Sequence, residues 1–355
     1  MKKILYISNI EVPYRVEFFN MLSKKCDLTV LYERSNSSNR NKDWAKSIKN
    51  EYNAVFLDGF KIGNESSFSF KILKYILNRE YDEIIIGCYS TPVQMFANIV
   101  MRILKKDFFI NFDGEIFAED NSIKSKLKKF FIRGGSKFLI AGEKSAKNLK
   151  KIVPDKKIYP YYFSSLTEFD LVKNEKLSKQ CSERQNYVLV VGQYMPYKGL
   201  DVAVEVAKKL ENVNFKFVGM GNKTKQFIIE NDLENYKNIE TISFLQKEDL
   251  YKEYCKCRLL MLPTRQECWG LVINEASSFG TPIVSTYGSG AAVEFLVDSF
   301  PELLAKSGDS ESLLGVLNNY LSREDNTISK FLINKCKNYC IERSVECHIN
   351  AFGGE

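Results

Sequence analysis

The chain of 355 residues contains a single histidine, His348, and only two tryptophans. One imidazole excludes a histidine-rich metal centre and allows a Ser-His-Asp triad only if His348 supplies it. No stretch approaches 18 apolar residues, so no segment reads as a membrane-spanning helix. Met1-Lys2-Lys3 opens onto a short apolar run, but Ser8, Asn9, Glu11 and Arg15 interrupt it too early for an export signal. Asp-x-Asp clusters and Cys-x-x-Cys pairs are both absent. Cys336, Cys340, Cys347 and His348 therefore read as helix packing rather than as a zinc site. The nine cysteines are odd in number and scattered, which predicts reduced thiols in a cytosolic protein.

What is present is an ordinary globular composition, with 45% apolar and 27% charged residues, long enough for two domains. The net charge of +7 is uneven: residues 102–157 hold fifteen Lys/Arg against seven Asp/Glu. Such a patch calls for an anionic neighbour. Within Ser122–Arg133, Ile123, Leu127, Phe130 and Phe131 form an apolar stripe, and Lys124, Lys126, Lys128, Lys129 and Arg133 fill the rest. Either a helix lying on an anionic membrane or a core-packed helix with a solvated basic face fits this pattern. No stacking platform for nucleic acid is interleaved, and nucleic acid is not expected as a partner.

Short apolar strands alternate with helical periodicity through Ile4–Ile7, Leu28–Tyr32, Glu83–Ile86, Phe108–Phe112 and Phe138–Ala141. The rhythm breaks over 158–186 and resumes from Tyr187–Val191 through Pro282–Ser285. Alternation of this kind predicts α/β architecture with parallel sheets, as two Rossmann-like domains in tandem. The predicted division is 1–160, a linker at 161–186, 187–325, and C-terminal helices at 326–355 with the option of packing back on the first domain. The polar run Ser35–Lys42 reads as a mobile loop.

Open parallel sheets bind ligands beyond the carboxyl ends of their strands, which directs attention to three loops. Gly192-Gln193-Tyr194-Met195-Pro196-Tyr197-Lys198-Gly199 places a lysine beside glycines at a helix start, suited to a phosphate or to a solvated turn. Gly219-Met220-Gly221 reads as a tight turn with close backbone approach, since it lacks the third glycine of the dinucleotide fingerprint. Glu267 precedes a helix beginning near Gly270, and Glu275 lies about one turn inside it, leaning back toward the free amides of the first turn. A diphosphate on those amides would leave Glu275 beside a ribose; a capping carboxylate plus an exposed one is the alternative.

Glu267-x7-Glu275, with Gly192…Lys198-Gly199-Leu200-Asp201, Val218-Gly219-x-Gly221, Phe244-Leu245 and Gly280-Thr281-Pro282-Ile283-Val284, resembles the C-terminal domain of retaining glycosyltransferases of family 4 over roughly 185–320. The resemblance implies the GT-B fold, two Rossmann-like domains whose parallel sheets face a central cleft. It implies that Glu275 binds ribose hydroxyls, that Glu267 contacts the donor sugar as a catalytic residue, and that Lys198 neutralises the diphosphate. Gly192, Gln193, Gly219, Phe244, Leu245, Gly270, Leu271 and Val272 complete the implied donor site. Gln193 stands where many relatives have arginine, and Cys268-Trp269 border the implied sugar pocket in place of Gly-Phe. The family's frequent N-domain histidine is absent; Asp113 takes its place, as a second catalytic candidate or as a cap. Asn9, Tyr14 and Arg15 are candidate acceptor contacts or ordinary capping residues.

The implied reaction is transfer of a hexose-type sugar from a nucleotide diphosphate sugar, UDP-linked by expectation, with no cofactor or bound metal. The expected acceptor is a glycan, lipid-linked, in surface polysaccharide biosynthesis. The expected place is the cytoplasm, peripheral on the inner face of the plasma membrane through 122–133. Two alternatives stand beside it: a nucleotide-sugar 2-epimerase, and a catalytically silent nucleotide-sugar-binding subunit of a transferase complex.

Overall fold

The computed structural model describes residues 1–35, 48–62, 66–114, 122–180, 184–323 and 327–353. Residues 36–42 of the run read as a mobile loop lie outside them. The chain divides into two units, one made of Met1–Asp113, Phe117–Phe163 and Ile341–Glu355, the other of Gly114–Ile116 and Ser164–Cys340.

The first unit begins β1 (Lys3–Ser8), α1 (Pro13–Ser23), β2 (Asp27–Tyr32), β3 (Asn53–Phe56), β4 (Phe60–Ile62) and β5 (Ser66–Phe68). It continues α2 (Ile72–Ile76), β6 (Glu83–Ile86), α3 (Pro92–Ile103), β7 (Phe109–Phe112), α4 (Ile123–Gly134), β8 (Lys137–Ala141), α5 (Glu143–Ile152) and β9 (Lys157–Tyr161). A seven-stranded parallel sheet in the order β3-β2-β1-β6-β7-β8-β9 forms its centre. The strands are near-continuous apolar runs because helices cover both faces: Ile4, Leu5, Val30, Ile85, Ile86, Ile110 and Leu139 are all buried. Prolines at the first turns of α1 and α3 preset the helical φ where no amide donor is needed. The order reverses between β1 and β6, so the loops after them flank the sheet's switch point.

The second unit runs α6 (Glu168–Gln180), β10 (Gln185–Val191), α7 (Leu200–Lys209), β11 (Asn214–Val218), α8 (Thr224–Glu230), β12 (Ile239–Ile242), α9 (Lys247–Lys256) and β13 (Cys257–Leu262). α10 (Leu271–Ser278), β14 (Ile283–Thr286), α11 (Gly290–Leu296), β15 (Leu304–Ala305), α12 (Ser310–Leu321) and α13 (Thr327–Cys336) follow. Its parallel sheet has the order β12-β11-β10-β13-β14-β15. Half-buried Arg184 stitches this unit: its guanidinium donates to the carbonyls of Tyr254, Cys255, Cys257 and Phe279 at 3.0–3.2 Å, closing the C-terminal ends of α9 and α10. The last helix, α14 (Ile341–Ala351), returns to the first unit and packs on α1 and β9.

Two expectations change, and one open alternative narrows. The segment read as linker contains α6, started by a reciprocal cap: Thr167 Oγ1 accepts from Asp170 N at 3.1 Å while the Asp170 carboxylate accepts from Thr167 N at 3.1 Å. The Thr-x-x-Asp spacing is the helix signal that the surrounding polar residues obscured. Cys255 is disulfide-bonded, whereas Cys26, Cys88, Cys257, Cys268, Cys336, Cys340 and Cys347 are free. Uniformly reduced thiols are therefore not what the fold holds. The apolar stripe of α4 does not simply face the core: Phe131 is buried, but Ile123 is 86%, Leu127 51% and Phe130 47% exposed.

Candidate active site

In the second unit β10 and β13 are hydrogen-bonded neighbours, so the loops leaving their carboxyl ends meet. Arg265 N donates to Tyr197 O at 2.8 Å, and the Arg265 guanidinium takes Asp201 in two bonds of 2.7 and 2.6 Å. Gly199 sits at φ +67°, and a Cβ there would lie 2.1 Å from Pro263 O, so the two loops can approach this closely only over glycine. Their contact brings Lys198 Nζ onto Glu267 Oε1 in an ion pair, both side chains under a fifth exposed. Thr264 donates to the other carboxylate oxygen at 3.2 Å. The Glu267 backbone is clamped to the turn after β14, with Glu267 N to Gly288 O at 2.8 Å and Gly290 N to Glu267 O at 3.2 Å.

Gly270, at φ +105°, starts α10, where no side chain caps the helix and its first turn holds no acidic residue. The amides of Leu271 and Val272 belong to that first turn, which carries the positive end of the helix dipole. Glu275 does not reach back to them as expected. Its oxygens accept from the hydroxyls of Ser165 at 3.1 Å and Tyr254 at 3.0 Å, because the approach of α9 to α10 places Tyr254 alongside. Burial pushes the Glu275 carboxyl above its ordinary range, against the lowering effect of those two hydroxyls. Trp269 also departs from expectation: it is buried, donates to Asn274 at 2.8 Å and stacks on Tyr339, so it packs in the core and does not line a sugar pocket. Cys268 beside it is exposed.

The remaining donor candidates lie on the same sheet edge. Gly192 and Gly219 directly follow β10 and β11, and a Cβ on Gly219 would press the Gly192 carbonyl at 3.3 Å. Gln193 is exposed, and Phe244 and Leu245 follow β12 with Phe244 partly open.

In the first unit Arg15 corrects the sequence reading. It is buried and ion-paired with Asp113, so it is committed inside the protein and does not offer itself as an acceptor contact. Asp113 is no cap: its Oδ1 also accepts from Tyr161 at 3.0 Å and Asn111 at 3.2 Å. Glu115, two residues further on, lies outside the described residues. Asn9 is exposed at the switch point, its Oδ1 held at 2.5 Å by Gln94, while Tyr14 is half-buried against Phe163. Gln94 Nε2 also donates to Glu33 at 2.7 Å, and Thr91 donates to the same oxygen. Burial raises the Glu33 carboxyl to about 7.

Sequence reading missed Glu33, Thr91, Gln94, Tyr161, Asn111, Ser165 and Tyr254. Only the position of Glu33 just past a strand was a signal; the others come from elements whose packing no local pattern encodes. Cys336 and His348, weighed as zinc ligands, are engaged elsewhere: Cys336 contacts Asn274 O at 3.3 Å and His348 contacts Asn111.

Residues 172–338 match the family described as Glycosyl transferases group 1. An uncharacterized glycosyltransferase of Methanocaldococcus jannaschii is 25% identical over 260 residues, covering 71% of this chain and 70% of that protein. The O-antigen chain mannosyltransferase C of Escherichia coli is 25% identical over 39% of this chain and 38% of its own length. Among solved structures, Anabaena HepE in complex with UDP and glucose superposes with TM-score 0.68 at 16% identity, over 99% of this chain and all of that one. WaaG, a glycosyltransferase involved in lipopolysaccharide biosynthesis, gives 0.66 at 13% over 99% and 100%. The chain has the GT-B fold, and its residues 172–338 are similar to group 1 glycosyl transferases.

Proposed function

We propose that the protein moves a hexose-type sugar from a UDP-sugar to a glycan acceptor with retention at the anomeric carbon, without a bound metal, in the biosynthesis of a lipid-linked surface polysaccharide. The observation that carries this reading is the pairing of Lys198 with Glu267 beside the uncapped start of α10. A diphosphate placed on the Leu271 and Val272 amides takes the lysine as its counterion, and the departing charge is stabilised by the ammonium and the helix dipole. Release from Lys198 leaves Glu267 to face the sugar, where positive charge develops as the bond to the leaving phosphate oxygen breaks. Glu275, already set by two hydroxyl donors, is disposed to accept from ribose hydroxyls. In this reading Gly192, Gln193, Gly219, Phe244, Leu245 and Gly270 border the nucleotide, Asn9 and Tyr14 meet the acceptor, and Asp113 contacts a reacting sugar.

Docking on an anionic membrane through 122–133 belongs to the same reading. Ile123, Leu127 and Phe130 are exposed on a helix without an acidic residue, and Arg102 lies 4.4 Å over the Phe130 ring, extending the basic face to α3.

Incubation with UDP-glucose, UDP-galactose and GDP-mannose, with and without excess chelator, tests the donor chemistry. Nucleoside diphosphate release that persists in chelator is expected. Release that is lost in chelator and restored by magnesium or manganese overturns the metal-free reading, and no release from any nucleotide-sugar favours the silent subunit.

A further inference from the structure

We propose that Asn111, Tyr161 and His348 are positioning residues for Asp113, loading one carboxylate oxygen and leaving the other to a sugar hydroxyl; this rests on the reading that Asp113 takes part in transfer. Three groups converge on Oδ1, Arg15, Asn111 at 3.2 Å and the Tyr161 hydroxyl at 3.0 Å, whose one proton is shared between this oxygen and Phe112 O at 3.0 Å, and no described residue donates to Oδ2. The Asp113 side chain is 32% exposed. Each of the three groups sits on a different element: α1, β7 and β9.

Behind Asn111 stands His348 from α14. Its Nδ1 donates to Ser344 O at 2.7 Å and its Nε2 lies 3.3 Å from Asn111 Oδ1. Phe18 and Tyr161 cage the ring at centroid distances of 4.8 and 4.7 Å. The imidazole is thus a fixed stop against which the amide rests, with its NH2 group turned to Asp113 and to the Tyr161 hydroxyl at 3.2 Å. Burial, reinforced by Arg15 and opposed by Asp113, lowers the imidazole to about 4, so a neutral ring packs there without disturbing the Arg15–Asp113 charge pair. Asn111 and His348 are fully buried and Tyr161 nearly so. Apolar side chains would fill that space without the cost of burying an amide, a phenol and an imidazole. Asn111 and Tyr161 instead join by hydrogen bonds to a single partly open carboxylate, with the His348 ring packed against the amide from behind.

The chain's lone histidine makes the network directly readable, because the 355-residue chain labelled with 15N has one set of imidazole resonances. Asp113→Asn is expected to shift them through Asn111, a result that needs no substrate; unmoved resonances overturn the coupling. In nucleoside diphosphate release from UDP-glucose, Tyr161→Phe removes one donor and keeps the ring. It is expected to lower kcat about tenfold with KM within about twofold. A lowered melting temperature with unchanged kcat makes Tyr161 merely structural and overturns the proposal. If Asp113→Asn retains full kcat while the resonances shift, the network stands but the role of Asp113 in transfer fails, which separates the two readings.

Discussion

Lys198 and Glu267 satisfy each other in the free protein, so a donor diphosphate must compete with a carboxylate for the lysine. Replacing Glu267 by Gln keeps the shape, frees the ammonium and removes a negative charge near the phosphate position. Exposed ion pairs contribute about 0–1 kcal/mol, and loss of a partner in a fully buried pair costs about 3–5 kcal/mol. With both side chains under a fifth exposed, this pair falls between those limits, at about 1–2 kcal/mol. Returned to the diphosphate, that energy tightens UDP binding roughly five- to thirtyfold. The same variant lacks the charge that faces the developing cation, and its turnover should fall about a hundred- to a thousandfold, the scale of losing one preorganised electrostatic group. Calorimetry with UDP and steady-state release of nucleoside diphosphate measure the two halves separately. UDP affinity that drops in Glu267→Gln, or turnover that stays at the wild-type level, refutes the division of labour between the two side chains.

Glu275→Gln loses the charged acceptor for ribose hydroxyls, so the donor KM should rise about ten- to a hundredfold with a smaller change in kcat; calorimetric donor affinity equal to wild type rules this out. Replacing Lys124, Lys126, Lys128 and Lys129 by Gln should release the protein from phosphatidylglycerol vesicles, since each basic residue near such a surface contributes about 1 kcal/mol and salt screens it. Unchanged cosedimentation would make the face merely solvated. Glu33, raised to about 7, keeps its proton in the folded protein over a range where the unfolded chain has lost it. Folded-state stability should therefore decline from about pH 4.5 to pH 7, by up to about 1.4 kcal/mol per pH unit. Urea unfolding at pH 5 and pH 8 checks this: Glu33→Gln should flatten the dependence, and an identical slope in both proteins counts against a buried protonated carboxyl.

Much of the fold was legible before any tertiary contact was known, because a strand covered on both faces must be apolar along its length and parallel strands need crossovers between them. The runs at Ile4–Ile7, Glu83–Ile86 and Tyr187–Val191 obey that constraint, and each coincides with or lies inside an observed strand. Lys198, Gly199, Glu267 and Glu275 were legible for a similar reason: they follow strand ends at fixed short offsets, and local chain geometry carries them to the sheet edge. What local geometry does not carry is a side chain's partner. Spacing could not show that Glu275 turns to Ser165 and Tyr254, that Trp269 packs against Tyr339, or that Arg15 is spent on Asp113, since each partner lies at least 21 residues away along the chain. The lone histidine marks the limit most clearly. In the sequence His348 is a residue of a terminal helix; only the return of that helix onto α1 and β9 sets it behind Asn111, 237 residues earlier, because burying the apolar face of α14 there fixes its position.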